Sequence, residues 1–216
     1  MKSFKSSSLA LALLLAASGA SHATTTGLTS LYGDYVVWDT FSTGAFSGVS
    51  AQAGSGFVTS GLSQSASASF PFGPQVGNDL LYTSNTATSW TVSGSTAFEV
   101  TALTLQIKSS ATGSYIFAPT LSYGINSGIV ANTTSSPIAA DNVGGLGQEY
   151  VVTYTFTGLN IAANQEFSFA FTGFASSHVA VDAVAVNAVP EPGTWASLVM
   201  GLGLLAGSRR FMRRSK

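Results

Sequence analysis

Glu149-Tyr150-Val151-Val152-Thr153-Tyr154-Thr155-Phe156 is the stretch on which the fold turns. Extended, it puts Tyr150, Val152, Tyr154 and Phe156 on one face, the period-2 pattern of a half-buried strand. Phe167, Phe169 and Phe171 repeat the pattern, with Ser168, Ala170 and Thr172 opposite, and Gly158 to Asn164 connect the two. Outward from this pair, further strands are expected at Tyr35–Phe41, Leu80–Thr83, Ser89–Val92, Ala97–Lys108, Pro119–Ile125 and Val179–Asn187. The long one changes phase, since Phe98, Val100 and Ala102 alternate one way and Leu103, Leu105 and Ile107 the other, which predicts a bulge. Ser47–Gly61 and Ile125–Gly147 are the least patterned stretches. Helical periodicity is missing from Thr24 to Pro190. Many short strands between Gly-, Ser-, Thr- and Asn-rich turns predict an all-β domain, a single β-sandwich of jelly-roll type.

The two ends differ from this middle. Lys2 and Lys5 precede an uncharged run from Leu9 to Ala17, and Ser21-His22-Ala23 is a small-x-small cleavage site. Residues 1–23 therefore read as a signal peptide cut after Ala23 by signal peptidase. At the other end, Val189-Pro190-Glu191-Pro192-Gly193-Thr194-Trp195 leads into an uncharged apolar run, Ala196 to Gly207. Arg209, Arg210, Arg213 and Arg214 follow. The paired prolines favour an extended linker. Trp195 suits a membrane interface and the arginines the cytoplasmic side, so the domain lies outside and the tail end inside. Residues 24–188 are then the β-domain and 189–216 the tail.

Charge follows the same division. Between Thr24 and Pro190 there are eight acids and one base, Lys108, a net charge of −7. Such a domain cannot neutralise phosphates, which excludes nucleic acid as a partner. The chain has no cysteine, so neither disulfides nor a thiolate metal site contributes. Calcium is the metal left open, with oxygens on Asp34, Asp39, Asp141 and Asp182, though no EF-hand spacing occurs. No other cofactor is expected.

Catalytic constellations are sparse. His178 alone survives signal cleavage, and on a strand it stands about 13 Å from Asp182, too far for a triad. Gly201-x-Gly203-x-x-Ala206 sits in the apolar tail rather than after a strand, so it is no dinucleotide fingerprint. Asn132-Thr133-Thr134 is a glycosylation sequon by pattern only. Trp38 and Trp90 both fall in expected strands. Alternation sets Val36 and Trp38 inward, against Tyr35, Val37 and Asp39 outward.

The ordered tail (Pro190-Glu191-Pro192, a short apolar helix, then arginines) resembles the PEP-CTERM sorting signal read by exosortases. Tyr35–Phe41 and Phe174–Asp182 resemble the first and last strands of β-domains carried by some PEP-CTERM proteins. The resemblance implies recognition at Pro190, Glu191 and Pro192 by a membrane cysteine protease or transpeptidase, with release or transfer. It also implies a link to exopolysaccharide and biofilm. The expectation is an exported, non-enzymatic envelope or matrix protein, anchored by its tail before processing. A carbohydrate-binding module using exposed aromatics is the alternative, and a hydrolase with paired carboxylates stands third.

Overall fold

The computed structural model describes residues 28, 33–39, 41, 51, 53–66, 75–77, 80–84, 88–111, 117–142, 148–173 and 178–190. The expected signal peptide and the tail beyond Pro190 lie outside the described residues. Fourteen strands run through them: β1 (Asp34–Trp38), β2 (Ala53–Ser55), β3 (Phe57–Ala66), β4 (Gln75–Gly77), β5 (Leu80–Ser84), β6 (Thr88–Thr96) and β7 (Val100–Ala111). The rest are β8 (Thr120–Tyr123), β9 (Asn126–Val130), β10 (Thr133–Thr134), β11 (Ile138–Asn142), β12 (Gln148–Ile161), β13 (Phe167–Gly173) and β14 (His178–Pro190). The described residues contain no helix.

All pairings are antiparallel and form two sheets. The larger runs β10-β12-β7-β14-β1-β2, with β11 on β12, β5 on β14 and β4 on β5. Strand β14 is long enough to hold two partners on one edge: β5 along His178–Val181 and β1 along Val184–Ala188. The smaller sheet runs β3-β6-β13-β8-β9. Within these, β5-β14-β7-β12 and β6-β13-β8-β9 are the two four-stranded halves of a jelly roll. The chain passes from sheet to sheet at β2–β3, β3–β4, β5–β6, β6–β7, β7–β8, β9–β10, β12–β13 and β13–β14. The expected jelly-roll sandwich is the observed fold.

One core joins the sheets. Leu103, Leu105 and Ile107 of β7, Val152, Tyr154 and Phe156 of β12, and Val184 and Val186 of β14 meet Trp90 and Val92 of β6 and the three phenylalanines of β13. Phe156 and Phe169 touch between the sheets at 5.2 Å, and Trp90 stacks on Phe171 at 5.4 Å. Each fully buried large side chain contributes about 1.5–3 kcal/mol, and no disulfide adds to that. Tyr154 spans the gap with its polar end, where its hydroxyl oxygen accepts from the Phe117 N–H at 2.9 Å.

The bulge sits where the phase change placed it. Opposite β14, Thr101 is an extra residue, since Ala102 faces Val189 and Val100 faces Pro190. The same shift lets β14 run on to Pro190, so the first residue of the sorting triple ends a strand rather than starting a linker. A proline fits there because a strand end at a bulge demands no ladder N–H. Three expectations need correction. The least patterned stretches hold β2, β3, β9, β10 and β11. The strand from Pro119 stops at Tyr123 and turns at Gly124, whose φ of +54° suits glycine. Trp38 and Val36 do point into the core, but the opposite face of β1 is also buried, with Tyr35 and Val37 packed on Ala185 and Leu28.

Candidate functional site

A charged cluster crosses three adjacent central strands. Lys108 on β7 pairs in register with Val151 of β12 and Ala183 of β14. On that face Glu149 lies two residues along β12. Asp182 is the unpaired residue of a bulge in β14, between Val181 opposite Ser109 and Ala183 opposite Lys108. A bulge re-aims its side chain, and here both carboxylates meet one ammonium. Lys108 Nζ lies 2.9 Å from Glu149 Oε2 and 2.6 Å from Asp182 Oδ2. The Lys108 and Glu149 side chains are 5% and 1% exposed, whereas that of Asp182 is 23% exposed. Burial pulls the Lys108 ammonium down. Hydrogen bonds and charge from Asp182 and Glu149 outweigh that and hold it above its ordinary value.

One buried and one partly exposed carboxylate on a single buried lysine leave a net negative charge largely away from water, which is costly. The arrangement also differs from a glycosidase pair, whose carboxyls flank an open gap for the sugar and its water. Here the lysine fills the space between them.

The other residues singled out from the sequence scatter. Asp34 and Asp39 flank β1 at opposite ends, Asp141 lies in β11 and Asp182 is held by Lys108. Burial raises the Asp34 carboxyl. Among the described residues no three His, Asp or Glu side chains assemble as a metal site. His178 opens β14 with its Cα opposite Ser84. The sequon residue Asn132 uses its side-chain oxygen to accept from the Thr157 N–H at 2.6 Å. Trp38 and Trp90 are both core residues. Ala23, Glu191, Pro192, Trp195, Arg209, Arg210, Arg213 and Arg214 lie outside the described residues. Among the described residues no helix is long and apolar enough to cross a membrane.

The outer face of the smaller sheet went unnoticed in the sequence. Its five strands contain no charged residue. Thr59, Ser63, Thr91, Ser93, Ser168, Thr172 and Ser122 point outward in cross-strand rows, because the residues between them face the core. The result is a neutral, hydroxyl-bearing surface. Ser89 and Thr172 hydrogen-bond across it at 3.2 Å.

Comparison with known proteins bears on the tail. Residues 188–214 match the PEP-CTERM protein-sorting motif, starting inside the last strand of the sandwich. The chain therefore carries a PEP-CTERM sorting signal, which implies export, anchoring through the C-terminal tail and handling by an exosortase. No curated protein matches the chain. Similar solved structures include a CBM35 from Cellvibrio japonicus Abf62, at 12% identity over 74% of this chain and 89% of that one, with a TM-score of 0.28. Another is the CBM22-1 xylan-binding domain from Paenibacillus barcinonensis Xyn10C, at 9% identity over 72% and 93%, with a TM-score of 0.29.

Proposed function

We propose that the jelly-roll domain is the cargo of this sorting signal: a non-enzymatic envelope or extracellular-matrix protein of an exopolysaccharide-producing cell. The observation that carries the reading is the continuity of β14 with the motif. Strand β14 reaches Pro190, and the matched motif spans 188–214. The first residue of the recognition triple is thus part of the folded domain's last strand. In this account signal peptidase cuts after Ala23, and the apolar segment with Trp195 and the four arginines holds the product in the membrane. An exosortase then acts at Pro190, Glu191 and Pro192.

Contact with a neutral matrix polysaccharide is part of the proposal, and the uncharged hydroxyl face is the surface suited to it. Hydrogen bonds to sugar hydroxyls replace stacking there, since the aromatic side chains characterised among the described residues are buried or half-buried. The sorting step is tested by replacing Pro190, Glu191 and Pro192 with alanine. The expected outcome is an unprocessed chain retained in the membrane fraction. Normal release of the triple mutant would refute the proposal.

A further inference from the structure

We propose that Lys108 and Asp182 condense to an isopeptide bond, a covalent tie between β7 and β14, with Glu149 as the proton carrier. Three observations converge on it. Lys108 is the only lysine between Thr24 and Pro190, yet it is buried in the middle of the larger sheet rather than solvated. Its amine meets a carboxylate on each neighbouring strand, at 2.6 Å and 2.9 Å. And the closer carboxylate belongs to a bulge residue, displaced from the ladder toward the amine.

The geometry suits attack. Nζ lies 2.6 Å from Oδ2, one C–O bond away from the carboxyl carbon that it must reach at a near-attack separation of about 3–3.5 Å. The Lys108 ammonium first passes a proton to Glu149, leaving a neutral amine. Its nitrogen lone pair attacks Cγ of Asp182 and a C–N bond forms. Glu149 hands its proton to the departing oxygen and takes a second one from the nitrogen. That proton completes the leaving group, and the Cγ–O bond breaks. One ammonium and one carboxylate become one amide and one water, so charge and atoms balance with no oxidant or co-reactant.

Burial supplies the drive. The reaction removes a buried cation and a partly buried anion, charges that are costly away from water. Glu149 ends the relay as the carboxylate it began as; left without its counter-ion, it then takes up one proton from solvent and, as the acid, donates to the new amide. The partly exposed side of Asp182 gives the water a way out. A chain without cysteine thereby gains a covalent clamp. It falls on the strand that leads into the sorting tail, so tension on Pro190 is carried to the centre of the sheet.

The sequence provides its own assay. Between Lys5 and Arg209, Lys108 is the one position at which trypsin cuts. An acylated lysine is not a trypsin site. The full chain is denatured, digested with trypsin, run on a denaturing gel and weighed by intact mass spectrometry. The expected result is no cleavage after Lys108, with the resulting product lighter than its sequence by one water. Cleavage into two fragments at Lys108, with no water lost, would overturn the proposal. Asp182→Ala removes the acceptor, so its denatured chain should be cut at Lys108. Resistance in that variant would place the bond elsewhere and refute the assignment to Asp182. Glu149→Gln should likewise be cut, and an uncut Glu149→Gln product would remove Glu149 from the chemistry.

Discussion

Replacing Tyr154 by phenylalanine removes a single oxygen from the centre of the sandwich, and its cost can be worked from two contacts. The ring is 1% exposed and packed in the common core, so phenylalanine retains the apolar burial. What is lost is the 2.9 Å hydrogen bond to the Phe117 N–H, a buried contact between β12 and the segment entering β8. A buried donor left without its acceptor costs about 1–3 kcal/mol. For a domain of this size each kcal/mol lowers Tm by roughly 2–4 °C, so Tm should fall by about 2–12 °C.

The same hydroxyl predicts a pH effect. Burial, only partly opposed by the Phe117 hydrogen bond, raises the Tyr154 phenol above its ordinary value. The unfolded chain then loses this proton first as pH rises. The stability held by the neutral phenol is complete below about pH 10 and is lost above it. Thermal melts of parent and variant at neutral pH and above pH 10 check both points, with the difference between them shrinking as pH rises. A variant that melts like its parent at neutral pH would refute the reasoning.

Two further substitutions probe the architecture. Trp38→Ala empties a fully buried site in β1 and should cost about 3–5 kcal/mol, much of the stability of an ordinary domain, read by denaturant unfolding. Gly54→Ala should loosen β2, because a Cβ there would lie 2.5 Å from the Tyr35 carbonyl oxygen and 2.9 Å from Val36 Cγ1. Faster amide exchange along Ala53–Ser55 with β14 still protected is the expected signature.

Where side chains alternate in size, the fold was legible. Strands β12 and β13 carry large apolar residues at every second position, and both were expected where they occur, as were parts of their partners β6, β7 and β8. Strand β3 was not, because Phe57–Ala66 sends only Leu62 of its middle residues deep into the core. Its Ser, Thr and Gly residues become a strand by pairing with β6, a tertiary effect rather than a propensity. The short edge strands β9, β10 and β11 were missed for the same reason. Val37 was placed outside because one face of β1 was assumed to meet solvent. The cover from Leu28 is a contact that period-2 reasoning cannot supply.

The charged cluster was hidden by topology. Lys108, Glu149 and Asp182 lie far apart in sequence and meet only through the β12-β7-β14 order and a bulge that breaks strand spacing. One signal did point to it: a single lysine in a domain with eight acids. The sorting tail was legible outright, because its three parts follow one another in the chain and need no fold to bring them together.

The most direct measurement of the account is the mass of the mature protein in cells with and without the exosortase. With the enzyme, the chain should begin at Thr24 and lack the arginine-rich end, and it should leave the membrane fraction. Without it, the chain should keep Arg209 to Arg214 and stay membrane-bound. Equal masses and equal partitioning in the two strains would contradict the assignment of this domain as exosortase cargo.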